Sequence, residues 1–519
     1  MNGSKEKLNE VKNKLDHKDL NLWGKHTSFT LKTGDVRSSI RKKLNAEMCS
    51  IAWAKMNEML HKYDLIPNKL SVQTLHLCEA PGGFICSTNH YIKSKFPKTQ
   101  RDWLANSLNP YYEGNDLNAM LDDDRFIVET IDKWCFGQDN TGNIMDQDNI
   151  RAIWKQVSNI SPICLVTGDG SVSCIDSPNE QEGNTAPLHF SEVVCALGSL
   201  EKGGDVVVKM FTLFEHSSIC IVYLLGCLFS KIIVCKPATS KSGNSETYLV
   251  GKGFNGVDPQ LLETLLSNVG DLRIFENNAL FPLDTLPSNF IKQVVACATL
   301  FADFQRQTIE ENLALENQTR ISHVRDRILN ERRWVTDQWH HRFPNIYLRS
   351  EDKITKNDDL DGSFNHKGRS LAAGRSEQSS VSVAERKRKR NPNEKPSPNE
   401  NIDQYEEKEA EEPPLKKLST QSVVESMMKK MGYGGGGLGK DEQGQVDAVQ
   451  NDQKLDRLGL GYQSKYLDWF DQEVHWIINN KLPLDEKQFS LEFRHVIGKK
   501  VAQVKLSTFC DETFNHFTL

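Results

Sequence analysis

Apolar residues recur at helical spacing from Asp35 to Tyr63, through Ile40, Leu44, Met48, Ile51, Ala52, Met56 and Leu60. The pattern predicts a helix ahead of the first strand, with Lys55 on it. Met1 to about Thr33 reads as a polar lead-in. From Leu75 short apolar runs alternate with amphipathic ones. Strands are predicted at Leu75–Ala80, Trp103–Leu108, Phe126–Thr130, Ile163–Gly168, Asp205–Met210, Lys231–Lys236 and Thr247–Gly251. Helices are predicted around Phe84–Lys95, Asn149–Val157, Leu188–Leu200 and His216–Phe229. Strands separated by helices predict a doubly wound α/β sheet. The last two strands are joined through PATSKSGNS, which has no room for a crossover helix, so they should pair antiparallel. The expected fold is a Rossmann-like parallel sheet closed by an antiparallel edge hairpin.

The pattern changes twice more. Val257 to about Arg342 reads as mostly helical, with Leu261, Leu262, Leu265 and Leu266 and then a periodic run from Asn289 through Trp334. A solvated helical brace on the sheet explains its dense charges. The functional alternative is that His323, Arg325, Arg327, Arg332 and Arg333 touch RNA phosphates. From about Arg349 to Thr420 aromatics nearly vanish, and such a segment buries too little apolar surface to offset its ordering entropy. The basic run Arg386–Arg390 within it suggests a nuclear-import signal or an RNA contact. Beyond Ser422 an apolar helix is followed by a crowd of glycines between Gly432 and Gly444, which suits a loop-rich module draped over a partner. The expected division is a lead-in at 1–33, an α/β domain at 34–256, a helical extension at 257–348, a disordered linker at 349–420, a glycine-rich module at 421–463 and a C-terminal segment at 464–519.

Composition narrows the class. The 519 residues suffice for two or three domains. Mean hydropathy is −0.53, low enough for part of the chain to be unfolded. The net charge of −6 hides local asymmetry and says little about partners. The 12 cysteines show neither a C-x-x-C pair nor zinc spacing, so no metal site and no disulfide framework is expected. The N-terminus has no signal-peptide core. The most apolar run, Ile219 to Phe229, is about half the ~20 residues a membrane span needs. A reduced, intracellular protein is expected.

Candidate chemistry centres on Leu75 to Cys86, LHLCEAPGGFIC. Gly82 and Gly83 lack a Cβ and would let a ligand approach, and the helix that follows would aim free N–H groups at the same spot. The loop is not G-x-G-x-x-G and carries no Lys-Ser/Thr for a phosphate. Glu79 would repel a pyrophosphate yet could bond a hydroxyl or an ammonium, which favours an uncharged or cationic cofactor such as S-adenosylmethionine (SAM). Asp169, Lys209, Glu246 and Lys55 fall at strand ends or facing this loop. Lys209 follows three valines, so it must emerge at the sheet's carboxyl edge or be paired. There it suggests a general base. Lowering its pKa from about 10.4 to near 7 takes about 4–5 kcal/mol. Burial and Lys55 push that way, whereas Asp169 and Glu246 oppose it. The reaction would be in-line attack of a ribose 2′-oxygen on a sulfonium methyl, catalysed mainly by positioning.

The segments HLCEAPGGF, NHYIKS, ANSLNPYYEGND, FGQDNTGNIM, VTGDGS, KMFTLFEH and KPATSKSGNSETYLV resemble the Adrift-type, cap-specific mRNA 2′-O-ribose methyltransferases of the FtsJ-like superfamily, from about Ile40 to about Arg342. The resemblance implies a Lys-Asp-Lys-Glu tetrad: Lys55 in AEMCSIAWAKM, Asp169 in GDGS, Lys209 in VVKMFT and Glu246 in GNSETY. It implies SAM held by the Gly82 loop, by Asp169, and by residues entering the second strand, near Arg101 to Trp103. The expected activity is methylation of the second transcribed nucleotide (cap 2) on capped mRNA or snRNA. The alternatives are the first nucleotide, uncapped RNA, or an inactive adaptor.

Farther on, Met431-Gly432-Tyr433, Gly437-Leu438-Gly439-Lys440, Gly444 and Gly459-Leu460-Gly461 resemble a G-patch, which implies a DEAH-box RNA helicase partner. His475 to Phe509, with Trp476, Leu482-Pro483 and Gly498-Lys499-Lys500, is similar to the region behind the G-patch of enzymes that modify the first nucleotide. Nuclear and cytoplasmic residence is expected, with no membrane association.

Overall fold

The computed structural model describes residues 2–160, 162–172, 174, 178–271, 279–357 and 359–362, and the backbone of strand segments at 475–478, 489–492, 503–504 and 514–518. All lie in one compact unit; a second unit, Ala384–Ser464, lies outside the described residues, as do the basic run and the G-patch-like module.

Six strands of the α/β domain are β1 (Ser71–Leu77), β2 (Gln100–Ala105), β3 (Ile163–Gly168), β4 (Leu200–Met210), β5 (Phe229–Cys235) and β6 (Thr247–Phe254). They lie in the order β2-β1-β3-β4-β6-β5, and β7 (His475–Ile478) pairs antiparallel onto β5. The β2-β1-β3-β4 half is parallel. The β5–β6 hairpin is antiparallel, as its short connection requires, and its second strand slots inward against β4. Glu246, just before β6, is thereby delivered to the carboxyl edge of the parallel strands.

Helices cover both faces. On one lie α4 (Ile51–Tyr63) and α5 (Gly83–Lys95); on the other lie α7 (Gln147–Ser158), α8 (Gln181–Ser199) and α9 (His216–Leu228). Ile219 to Phe229 spans most of α9 and the first residue of β5, and it is buried in the core rather than membrane-spanning; no described helix is long and apolar enough to cross a membrane.

Three expectations change. Phe126–Thr130 is not a strand but a short helix, α6 (Arg125–Glu129). Phe126 and Ile127 are both buried while Val128 and Glu129 face solvent, a two-in, two-out pattern that a strand's alternation cannot satisfy. The Asp35–Tyr63 stretch is two helices, α3 (Val36–Leu44) and α4. Asn45 and Met48 take positive φ between them, and Ser50 caps α4 by accepting from Trp53 N (3.1 Å). The break admits a returning segment: Leu44 O accepts from Leu348 N, Met48 N donates to Leu360 O, and Glu47 accepts from Ile354 N and Thr355 N.

The polar lead-in is also structured, as α1 (Asn2–Asn13) and α2 (Leu20–Thr30). Leu8 and Val11, three residues apart on α1, are buried against the helical extension. That extension is helical as expected, comprising α10 (Pro259–Ser267), α11 (Ser288–Leu315) and α12 (Ser322–Arg342). Arg332 is tied inward to Asp35 and to Phe29 O, Arg325 lies over the Phe29 ring, and Arg327 faces Glu331. These contacts suit the brace better than an RNA-facing row.

Candidate active site

The parallel register places Gly168 beside Val208, so the next residues, Asp169 and Lys209, emerge side by side. Across the antiparallel β4–β6 pair, Lys209 faces Tyr248. Lys209 Nζ donates to Asp169 Oδ1 and to Asp169 O, both at 2.9 Å, and Tyr248 OH donates to the same Oδ1 at 2.8 Å. Helix α4 packs on this face through Met56, Met59 and Leu60. It holds Lys55 Nζ 2.6 Å from Glu246 Oε1, with the ammonium 6.0 Å from the Tyr248 ring centre. Ser240 Oγ donates to the same Glu246 oxygen (2.7 Å). The four charged side chains keep 10–17% of their exposure, so they are desolvated yet reachable.

The charges act on one another. Burial alone would raise the Glu246 carboxyl, but Lys55, Lys209 and Lys236 together pull its pKa down to about 2. Burial would lower Lys209, but Asp169 and Glu246 outweigh it and the net direction is upward. The balance that composition left open therefore favours an ammonium at neutral pH, not a free base. Lys236 is a further buried amine, lowered by burial to about 7. Its Nζ donates to Asn244 O (3.0 Å), Asn244 Oδ1 (2.7 Å) and Glu246 O (2.7 Å). It thus folds the β5–β6 connection so that Glu246 faces Lys55. Glu58, one turn along α4 from Lys55, accepts from Ala238 N, Thr239 N and Trp339 Nε1 at 2.6, 3.1 and 2.9 Å. The connection is thereby anchored to α4 and α12.

The glycine turn differs from expectation. Glu79 accepts from Phe84 N (2.7 Å) and Ile85 N (3.2 Å), so it caps α5 and takes up N–H groups that a ligand was expected to meet. Gly82 has φ +117°, and a Cβ there would lie 2.5 Å from the Phe126 ring. The bare face of this glycine is therefore taken by Phe126, which in turn stacks on Trp103 at 5.9 Å between ring centres and 19° between planes. Arg101 lies lower in the sheet. It donates to Thr74 Oγ1 (3.1 Å) and Ile85 O (3.0 Å) and meets the His76 ring nitrogen (2.9 Å). The structure does not bring it to the tetrad.

Further groups at this edge carry no sequence signature of their own. Asn106, past the end of β2, donates to Cys135 O and Gly142 O, while its buried Oδ1 has no partner. Glu192 on α8 accepts from Gly170 N (2.9 Å), and burial raises its carboxyl to about 8. Tyr248 was the readable omission: it stands two residues after Glu246, on the strand predicted to run past Lys209. A cavity of about 830 Å³ lies between α2 and the α11–α12 pair. Its wall includes Trp23 and residues 241–244 of the same connection that carries Glu246. Among the described residues no cluster of three or more His, Cys, Asp or Glu could hold a metal ion.

Residues 49–254 match the family of FtsJ-like methyltransferases, and residues 420–463 match the G-patch domain. The chain is similar to proteins named cap-specific mRNA (nucleoside-2'-O-)-methyltransferase 2. Identity is 46% over 336 residues with that of Mus musculus, covering 62% of this chain and 43% of the relative. With that of Danio rerio it is 44% over 334 residues, covering 62% and 45%. With that of Drosophila melanogaster it is 39% over 343 residues, covering 64% and 49%. The chain thus spans less than half the length of these relatives.

Proposed function

We propose that residues 49–254, an FtsJ-like methyltransferase domain with a Rossmann-type fold, methylate the ribose 2′-oxygen of the second transcribed nucleotide of capped RNA. The observation that carries this reading is the meeting of Lys55, Asp169, Lys209 and Glu246, drawn from four separate elements, at the carboxyl edge of the sheet. Two ammoniums and two carboxylates in a desolvated setting suit a neutral hydroxyl that must lose its proton as it is methylated: the ammoniums favour the oxygen as it deprotonates and the carboxylates offer acceptors.

The donor set fits SAM as the methyl source. Asp169 and the orphaned Asn106 Oδ1 offer acceptors for an ammonium or for hydroxyls, Phe126 and Trp103 make the surroundings of the turn apolar, and no phosphate-binding lysine stands in it. Asp169, Asn106 and the turn at Gly82 would hold the cofactor, with Arg101 and Trp103 bracing the turn from beneath. Bound SAM supplies an electrophilic methyl group. The chain's own residues do the rest. Lys209, held as an ammonium, donates to the 2′-oxygen. Tyr248 and Asp169 fix the direction of that amine. Lys55, clamped by Glu246, adds positive potential on the far side of the oxygen. The proton that the 2′-hydroxyl loses as its oxygen takes the methyl group passes to a carboxylate of the tetrad, Asp169 or Glu246, or to Lys209 in the fraction of molecules whose amine is neutral. A strong base is therefore not required of Lys209. The cavity beside residues 241–244 provides room, with Trp23 as a stacking face, for the 5′ end of the RNA.

The G-patch at 420–463 is proposed to dock a DEAH-box RNA helicase, and Arg386–Arg390 to direct part of the protein to the nucleus. Capped, first-nucleotide-methylated and uncapped RNA oligomers, each offered with labelled SAM, test the enzymatic reading. Label is expected on the second ribose of the two capped substrates. Absence of ribose label would refute it, and equal label on uncapped RNA would remove the cap from the account.

A further inference from the structure

We propose that Lys12, on α1, is a substrate-binding residue that grips an RNA phosphate beside the target ribose. The inference rests on the ribose-methyltransferase reading and extends it to a helix outside the matched domain. Lys12 Nζ lies 3.3 Å from Ser245 Oγ, and Ser245 immediately precedes Glu246. The amine thus meets the β5–β6 connection one residue along the chain from a tetrad carboxylate. Two apolar anchors, Leu8 and Val11, pin α1 against α11 and fix that position.

What sets Lys12 apart is its lack of an ionic partner. An ammonium has three protons to donate. Lys236 places all of its donors on Asn244 and Glu246, Lys209 is paired with Asp169, and Lys55 with Glu246. Lys5, on the same helix, is paired with Glu215. Lys12 has only the long contact to a neutral hydroxyl, and among the described residues no carboxylate lies within 4 Å of it. The nearest acidic influence, Glu182, already accepts from Thr212 Oγ1, Phe214 N and Glu215 N. Burial disfavours the charge on Lys12 and lowers its pKa. A partly desolvated cation with unused donors, on the connection that carries Glu246, suits a phosphate of the RNA strand whose ribose the tetrad would hold.

Fluorescence anisotropy with a capped oligomer across a salt series, together with steady-state kinetics, tests this on the full chain. Lys12→Met is expected to raise KM for RNA about tenfold while kcat stays within about threefold. The slope of log Kd against log salt should flatten by about 0.7, the value for one lost phosphate contact on a single strand. Lys12→Arg should restore most of the affinity, and Ser245→Ala should leave the slope unchanged. An unchanged slope in Lys12→Met, or a fall in kcat with KM unaltered, overturns the proposal. If the wild type binds no capped RNA, the methyltransferase reading falls as well. If the wild type binds and Lys12→Met binds with the same slope, this inference alone falls.

Discussion

Strand β4 carries two lysine–carboxylate pairs, one at Asp205 midway along it and one at Lys209 near its carboxyl end. They mark the lower and upper ends of one face, and they differ in what they leave open. At the lower end Asp205 on β4 meets Lys252 on β6. Its other oxygen accepts from Gly253 N (2.9 Å), and the lysine also donates to Asp64 O (3.0 Å). Both partners are consumed in closing the strand ends. Four residues on, and on the same face, Lys209 meets Asp169 at the upper end. There both Lys209 and Tyr248 converge on Oδ1, and no hydrogen bond among the described residues ends on Oδ2. A second pair, Lys55 and Glu246, faces the first. An ion pair alone therefore says little about function. Unused hydrogen-bonding capacity, at the end of the sheet where loops gather, is what distinguishes the pair assigned to the proposed chemistry.

Neutral replacements should separate the two ends most sharply. Lys209→Met is predicted to lower kcat for ribose methylation by about 10²–10³ or more, and to lower the melting temperature as well, because Asp169 is left desolvated without its ammonium. Lys252→Met is predicted to touch stability alone. Its partly exposed pair loses about 1–2 kcal/mol, or about 2–4 °C, with kcat within about threefold of wild type. Radiolabel transfer and calorimetry on the same preparations check both. Near-wild-type turnover in Lys209→Met would make the upper pair as structural as the lower one.

The contrast was partly readable beforehand. Three valines running into Lys209 announced a strand that ends in a charge, and the short β5–β6 connection announced antiparallel pairing, so the tetrad's convergence followed from topology. Tyr248 could have been added from its two-residue offset to Glu246. Other features were hidden for physical reasons. Phe126-Ile127 looked like a strand because two adjacent apolar residues fit either period. Glu79 looked available to a ligand because nothing local reveals that it caps α5. Lys12 and Glu58 read as ordinary polar positions on helices, since their partners lie far along the chain. The lead-in read only as polar because two buried apolar residues on α1, Leu8 and Val11, are too few to make a period.

A smaller effect should follow from cutting the anchor behind Glu246. Glu58→Ala removes the acceptor for two backbone N–H groups and the Trp339 indole, all buried. Orphaned donors cost about 1–3 kcal/mol each, less when they relax together, so a loss of about 3 kcal/mol is predicted from denaturant titration. Turnover should also fall, by less than in Lys209→Met, because the connection that aims Glu246 loosens without losing a charge. An unchanged unfolding midpoint would mean that the connection is not held from α4, and the account of how Glu246 reaches Lys55 would need replacing.

The smallest predicted effect concerns Glu192, the buried carboxyl behind Gly170. With the four tetrad charges summing to zero, a fifth charge would tilt the balance around Lys209, so its protonation state matters to the contrast between the two ends. Burial raises its pKa to about 8 in the folded protein, against about 4.3 in an unfolded chain. Between those values the folded state binds the extra proton, so stability falls as pH rises through this window. Below it both states are protonated and nothing is lost. Glu192→Gln keeps an acceptor for Gly170 N and removes the titration. The melting temperature of the variant should match wild type below about pH 4 and exceed it by a few degrees near pH 8. Glu182, raised by burial to about 7, titrates in the same sense and leaves both proteins a shared residual slope below that pH. Parallel curves for wild type and variant would mean that Glu192 is already ionised in the folded protein. The upper site would then carry a net negative charge, and Lys209 would be held as tightly as Lys252.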